Sequence, residues 1–65
     1  MITINGEAKE GYEEMTVEEM LSKEGFHRER IAVEKNGEII PKSVFGQELL
    51  HSDDVIEVVS FVGGG

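Results

Sequence analysis

The stretch DDVIEVVSFVGGG, residues 53–65, decides how the rest of the chain folds. Val55 to Val62 is the longest apolar run in the sequence, and three glycines follow it directly. A strand this uniformly apolar belongs in the middle of a sheet, paired on both sides. Ser52-Asp53-Asp54 just before it reads as a turn, because short polar side chains bond their own backbone there.

The neighbours of that strand lie upstream. Ile2 and Ile4 alternate with Thr3 and Asn5, the period of a half-buried strand. Asn5-Gly6 then suits a two-residue hairpin turn, whose central positions both need positive φ. Ala8 to Glu13 is the expected returning strand, polar and suited to a sheet edge. The same signature recurs in Ile31-Ala32-Val33, Asn36-Gly37 and Glu38-Ile39-Ile40, and Pro41, with no backbone donor, ends the pairing.

A helix fits between the hairpins. Thr16 caps its first turn and Glu19 completes a capping box, with Met15 and Met20 placed as a hydrophobic staple. Val17, Met20 and Leu21 form the apolar face, and Glu18, Glu19 and Ser22 face solvent. Gly25 is expected to close the helix in the left-handed conformation, with Phe26 folding back on its end. The apolar pairs Val44-Phe45 and Leu49-Leu50 suggest a short helical turn tucked under the sheet.

The order is therefore β-β-α-β-β-(turn)-β. With the last strand parallel to the first, both hairpins lie outside it and the helix covers one face. That is an α+β fold, the β-grasp or ubiquitin-like roll, with a mixed sheet. Residues 1–62 form one domain in this reading, and 63–65 a flexible glycine tail. A ferredoxin-like split βαβ would need a second full helix, and Pro41 to Leu50 is too broken to supply it.

Composition narrows the function. At 65 residues the chain holds one domain. Fourteen Asp and Glu against six Lys and Arg give a net charge of -8, which repels nucleic-acid phosphates and anionic lipid. The absence of Cys excludes disulfides, thiolate zinc sites and a thiol nucleophile. No apolar run approaches the roughly 20 residues that span a bilayer, and no leader opens the chain, so a cytoplasmic setting is expected. His27 and His51 read as surface residues, Asp53 and Asp54 as turn formers, and Ser43, Ser52 and Ser60 lack a paired His. With no phosphate-binding motif either, the chain is expected to be no enzyme and to bind no metal or cofactor of its own.

The chemistry is expected in the tail. Three extended glycines reach about 10 Å, and without Cβ atoms they can thread a channel closed to other residues. A terminal carboxylate is a poor electrophile and needs activation, for example as an acyl-adenylate, so a partner must provide the nucleotide site. Terminal glycines also occur as inert linkers, but here they continue a strand with no Ser-rich or charged spacer. If Ile56 and Val58 face the helix, then Val55, Glu57, Val59 and Phe61 face outward. Val59 and Phe61 then form an apolar docking patch beside the tail. The opposite parity would bury Val59 and Phe61 and expose Ile56.

The short opening strand, EEMTVEEMLSKEGF (13–26), IAVEKNGEIIPKSVF (31–45) and DDVIEVVSFVGGG (53–65) together resemble the ThiS-type sulfur-carrier family of thiamine biosynthesis, over essentially the whole chain. The resemblance implies that the Gly65 carboxylate is adenylated by an E1-like enzyme using ATP and magnesium. A persulfide on a donor protein then supplies sulfur, and the resulting thiocarboxylate serves thiazole synthase. Gly63 and Gly64 would give passage through the partner sites, although many relatives carry two terminal glycines, which leaves Gly63 as a spacer. The free carrier is expected to be a monomer. The same tail would serve a carrier for molybdopterin synthesis or a ubiquitin-like modifier, and a passive interaction domain would leave it unused. Without Cys, any carried sulfur belongs at the chain's end.

Overall fold

A computed structural model describes Met1–Phe61; the expected tail residues Gly63, Gly64 and Gly65 lie outside the described residues, as does Val62. The chain forms β1 (Ile2–Ile4), β2 (Glu7–Lys9), α1 (Val17–Glu24), β3 (Ile31–Lys35), β4 (Glu38–Ile40) and β5 (Val55–Ser60). Single 3-10 turns occupy Arg28–Arg30 and Lys42–Val44. The sheet order is β2-β1-β5-β3-β4. β5 runs parallel to β1 and antiparallel to β3, so the apolar strand is central and each hairpin lies to one side of it. This is the expected β-grasp.

Both Asn-Gly turns have left-handed backbone at each central residue, with φ of 50° and 85° at Asn5-Gly6 and 53° and 86° at Asn36-Gly37. That geometry matches the right-handed twist of the flanking strands. Each turn asparagine also reaches across to β5. Asn5 accepts from the Val58 N–H at 2.7 Å and donates to the Val58 carbonyl at 3.2 Å. On the other side Asn36 accepts from the Val55 N–H at 2.9 Å and donates to the Asp54 carboxylate at 2.9 Å. The two amides act as extra rungs of the ladder where β1 and β3 have turned away.

The helix is built as its sequence indicates. The Glu19 N–H donates to Thr16 Oγ1 at 3.1 Å and the Thr16 N–H to Glu19 Oε1 at 2.9 Å, which is a complete capping box. Gly25 sits at φ 84°, and the Phe26 N–H reaches back to the Leu21 carbonyl at 2.9 Å, closing the helix in a Schellman motif. Val17, Met20 and Leu21 are buried against Ile2, Ile4, Ile31, Val33, Ile56 and Val58 of the sheet, and Met15 and Phe26 pack at the edge of this core.

Three details depart from the sequence pattern. β2 ends at Lys9 rather than Glu13. Gly11, at φ 84°, turns the chain inward, and Tyr12 becomes a core residue whose hydroxyl donates to the Glu24 carboxylate. That hydrogen bond first, and burial second, raise the Tyr12 pKa above its ordinary value of 10.0. Finally, of the two apolar pairs, Phe45 and Leu50 are fully buried, whereas Leu49 is exposed. Leu49 pairs with Thr16 in an isolated bridge, and adjacent residues in extended chain point to opposite sides.

The asparagine rungs give a direct test. Asn36→Asp replaces a donor with a carboxylate facing Asp54, and urea unfolding at pH 7 should report a loss of about 2–3 kcal/mol. Asn5→Asp, which loses only its donor to the Val58 carbonyl, should cost about 1–2 kcal/mol. Two variants both within about 0.5 kcal/mol of the parent would show that the rungs do not hold β5.

Candidate functional site

The inward residues of β5 are Ile56 and Val58, both buried. Their alternates Val55, Val59 and Phe61 are 46%, 53% and 53% exposed, so the outward parity for Val59 and Phe61 is the one the fold adopts. The register extends this outer face across the sheet. Ala32 lies opposite Val59, Glu34 opposite Glu57, Ile39 opposite Glu34, and Thr3 opposite Val55. Ile39 is the most exposed large apolar residue described, at 66%. An apolar surface of this kind marks an interaction face more often than an isolated exposed side chain does.

Strand pairing does not stop at Ser60. The Phe61 N–H donates to the Arg30 carbonyl at 2.7 Å, so the last described residue is still tied to β3's approach. Lys42 Nζ stands 6.0 Å from the centre of the Phe61 ring. Arg28 donates to the Lys42 carbonyl at 3.0 Å and to Glu18 at 2.9 Å, with its guanidinium 5.6 Å from the centre of the Phe45 ring. The placement of Lys42 over Phe61, with Arg28 bonded to the Lys42 carbonyl, was not legible in the sequence. It depends on the β3–β4 and β3–β5 registers, and no local pattern encodes it.

The remaining candidates have structural places. His27, His51, Ser43, Ser52, Ser60 and Asp53 are exposed. Asp53 occupies left-handed backbone, at φ 70°, as a turn residue does. Asp54 is 8% exposed and holds the β5 entry together. It accepts from Asn36 at 2.9 Å and from the His51 N–H at 2.8 Å, with Lys35 Nζ at 3.8 Å. Burial pushes its pKa up, but the hydrogen bonds from Asn36 and His51 and the charge of Lys35 outweigh that and leave it below the ordinary 3.8. Among the described residues no three His, Asp or Glu side chains gather as a metal-ligand group. No helix among them is long and apolar enough to cross a membrane. An open depression lined by Leu21, Ser22, Phe26, His27 and Arg28 contains the Arg28–Glu18 ion pair, and no hydrogen bond joins Ser22 to His27 among the described residues.

The sequence of residues 2–65 matches the model of the ThiS family. The chain belongs to the ThiS family. It is 36% identical over 66 residues to the sulfur carrier protein ThiS of Bacillus subtilis, covering all of both chains. It superposes with a TM-score of 0.80 on the crystal structure of the thiamine biosynthesis protein ThiS from Geobacter metallireducens, at 33% identity, over 98% of this chain and 97% of that one. It is also 42% identical over 64 residues to a thiazole synthase of Paramagnetospirillum magneticum, where it covers 98% of this chain but spans only 20% of that protein's length. This ThiS-family chain thus presents a sheet face with exposed Ile39, Val55, Val59 and Phe61, a lysine beside Phe61, and no catalytic constellation among the described residues.

Two outcomes follow from the geometry. Phe61→Asp and Val59→Asp, on the open face, should each change unfolding free energy by no more than about 1 kcal/mol, whereas Val58→Asp, buried without a partner, should cost at least about 4 kcal/mol. Equal costs at positions 58 and 59 would contradict the parity. Because Asp54 has a depressed pKa in the folded state, its stabilisation is present above 3.8 and is lost as pH falls through the lower folded value. The gap in urea midpoint between parent and Asp54→Ala should therefore be widest near neutrality and narrow below pH 3.8; a gap independent of pH would refute this.

Proposed function

We propose that this chain is the sulfur carrier of thiazole formation in thiamine biosynthesis, working through the Gly65 carboxylate. The observation that carries the reading is the junction at Phe61. Exposed Val59 and Phe61 stand at the end of the central strand, and Phe61 is two residues before Gly63 in the sequence. A partner that docks on Val59 and Phe61 is thereby positioned to receive Gly63, Gly64 and Gly65.

The chemistry proceeds in two activations. An E1-like adenylating enzyme binds ATP and magnesium, and an oxygen of the Gly65 carboxylate attacks the α-phosphorus with release of pyrophosphate. The carrier itself is strongly acidic, so the cations that hold the triphosphate must come from the partner. The terminal sulfur of a persulfide on a donor protein then attacks the acyl carbon and displaces AMP. A thiol cleaves the resulting sulfur–sulfur bond, leaving the thiocarboxylate. Thiazole synthase accepts that sulfur, a partnership supported by relatives named thiazole synthase in which a stretch like this chain makes up a fifth of the length. The protein is a co-substrate rather than an enzyme, acts in the cytoplasm where ATP is available, and is monomeric when free. Residues 1–62 serve as the docking domain, and 63–65 as the tail.

Intact mass after incubation with ATP, the E1-like enzyme and a sulfur donor tests the reading. Replacement of one oxygen by sulfur is the expected result, and removal of Gly64 and Gly65 should abolish it while leaving the unfolding midpoint within about 1 °C. A ladder of larger conjugates would favour a ubiquitin-like modifier. Sulfur accepted but passed to molybdopterin synthase instead of thiazole synthase would favour the molybdopterin branch. An unchanged mass with demonstrably active enzyme would favour a passive domain.

A further inference from the structure

The six cations of this chain divide into two sets. Lys9, Arg28 and Lys35 each have a carboxylate within ion-pair distance. Lys23, Arg30 and Lys42 have none among the described residues, although the chain carries fourteen Asp and Glu. Two of these three residues adjoin Phe61, Lys42 through its ammonium and Arg30 through its backbone. Arg30 lies opposite Phe61 through the 2.7 Å backbone hydrogen bond, and Lys42 stands over its ring. The same sheet face carries a second anomaly. Glu34 and Glu57 are directly cross-strand from each other, and neither joins an ion pair among the described residues. Like charges in that arrangement destabilise a sheet.

Along β5 the outer face therefore reads Phe61 with its cations, then Val59, then Glu57 beside Glu34, then Val55. The two charged poles are four residues apart, or about 13 Å at strand rise. That exceeds the screening length of about 8 Å at physiological salt, so a partner meets them as separate sites of opposite sign.

We infer that this face is a polarised docking surface, on which Arg30 and Lys42 meet carboxylates bordering the tail-receiving site of the adenylating enzyme and the Glu34–Glu57 pair meets a basic side chain of that enzyme. The inference rests on the sulfur-carrier reading and adds to it the charge pattern of the partner. Its consequence is orientation. A partner rotated by half a turn on the apolar patch would set like charge against like, so the favourable pose is the one that leads the glycine segment into the active site. A second copy of this chain also presents opposite poles when inverted, but it brings a further charge of -8 with it, which opposes pairing.

The test uses the full chain and the E1-like adenylating enzyme of the source organism, with ATP and magnesium, at low and high salt. Lys42→Glu, Arg30→Glu and Glu57→Lys should each weaken binding about three- to tenfold at low salt, with the differences shrinking at high salt. Lys23→Glu, on the helix, should change it less than about twofold. Net charge cannot explain weakening in both directions, since the first two variants make the chain more acidic and the third less so. Glu57→Lys also exchanges the Glu34 repulsion for attraction, so its unfolding midpoint should rise while its affinity falls, which separates docking from folding. Unchanged affinities in the three face variants, or an equal loss in Lys23→Glu, overturn the inference while the carrier reading stands. Dimerisation of the parent that Lys42→Glu abolishes would assign the face to self-association instead. Failure of the enzyme to bind and adenylate the parent removes the carrier reading and the inference together.

Discussion

β5 has neighbours of opposite direction on its two sides, and each neighbour turns away before the strand is fully paired. Asn5 and Asn36 supply the missing partners with their side-chain amides, one from each hairpin turn. The same two residues adopt the positive φ that the turns require. One residue type at one position thus closes a hairpin and secures the central strand. With the strand fixed on both edges its register cannot slip, and a slip of one residue would exchange its two faces. Ile56 and Val58 are therefore committed to the core, and Val59 and Phe61 to the outside.

That commitment explains why a chain this small has both a stable interior and an open face. A single helix covers one side of a five-stranded sheet, and the strong caps at Thr16 and Gly25 let eight residues suffice for it. Tyr12, Phe45 and Leu50, brought in by loops, complete the core where the helix does not reach. Among the described residues no element covers the other side of the sheet. Pairing continues to the Phe61 N–H, so whatever follows Phe61 starts from a fixed point. Four further residues reach at most about 14 Å from it. A partner that engages the tail at that range must also come close to Val59 and Phe61.

Local chemistry made most of this legible in the sequence. The Asn-Gly pairs, the Thr16–Glu19 capping box, Gly25 and the apolar run of β5 each specify their own geometry within a few residues, and each adopts it. Topology followed because a strand apolar on both faces has one sensible place in the sheet. The misses share a different cause. The end of β2 depended on whether Tyr12 could find Glu24 on the helix, twelve residues away. The buried role of Asp54 depended on Asn36 and Lys35 arriving from another hairpin. The cations around Phe61 depended on two strand registers at once. Periodicity carries no information about such meetings, and Gly11 signalled the first only through a positive φ that a glycine makes easy.

The net charge of -8 is where sequence and structure differ most in what they say. As a sum it speaks of solubility and of partners it repels. As a distribution it is uneven. Lys35 is enclosed by Glu48, Asp54 and the Leu49 carbonyl, and Lys9 and Arg28 are likewise neutralised in place. Lys42, over the Phe61 ring, has no carboxylate within ion-pair distance among the described residues and is left to act outward. In the proposed adenylation an acidic carrier brings a carboxylate up to a triphosphate, an encounter that its own charge opposes. In the docked pose inferred for this face, Lys42 beside Phe61 attracts partner carboxylates and so offsets part of that opposition, while the acidity elsewhere favours solubility.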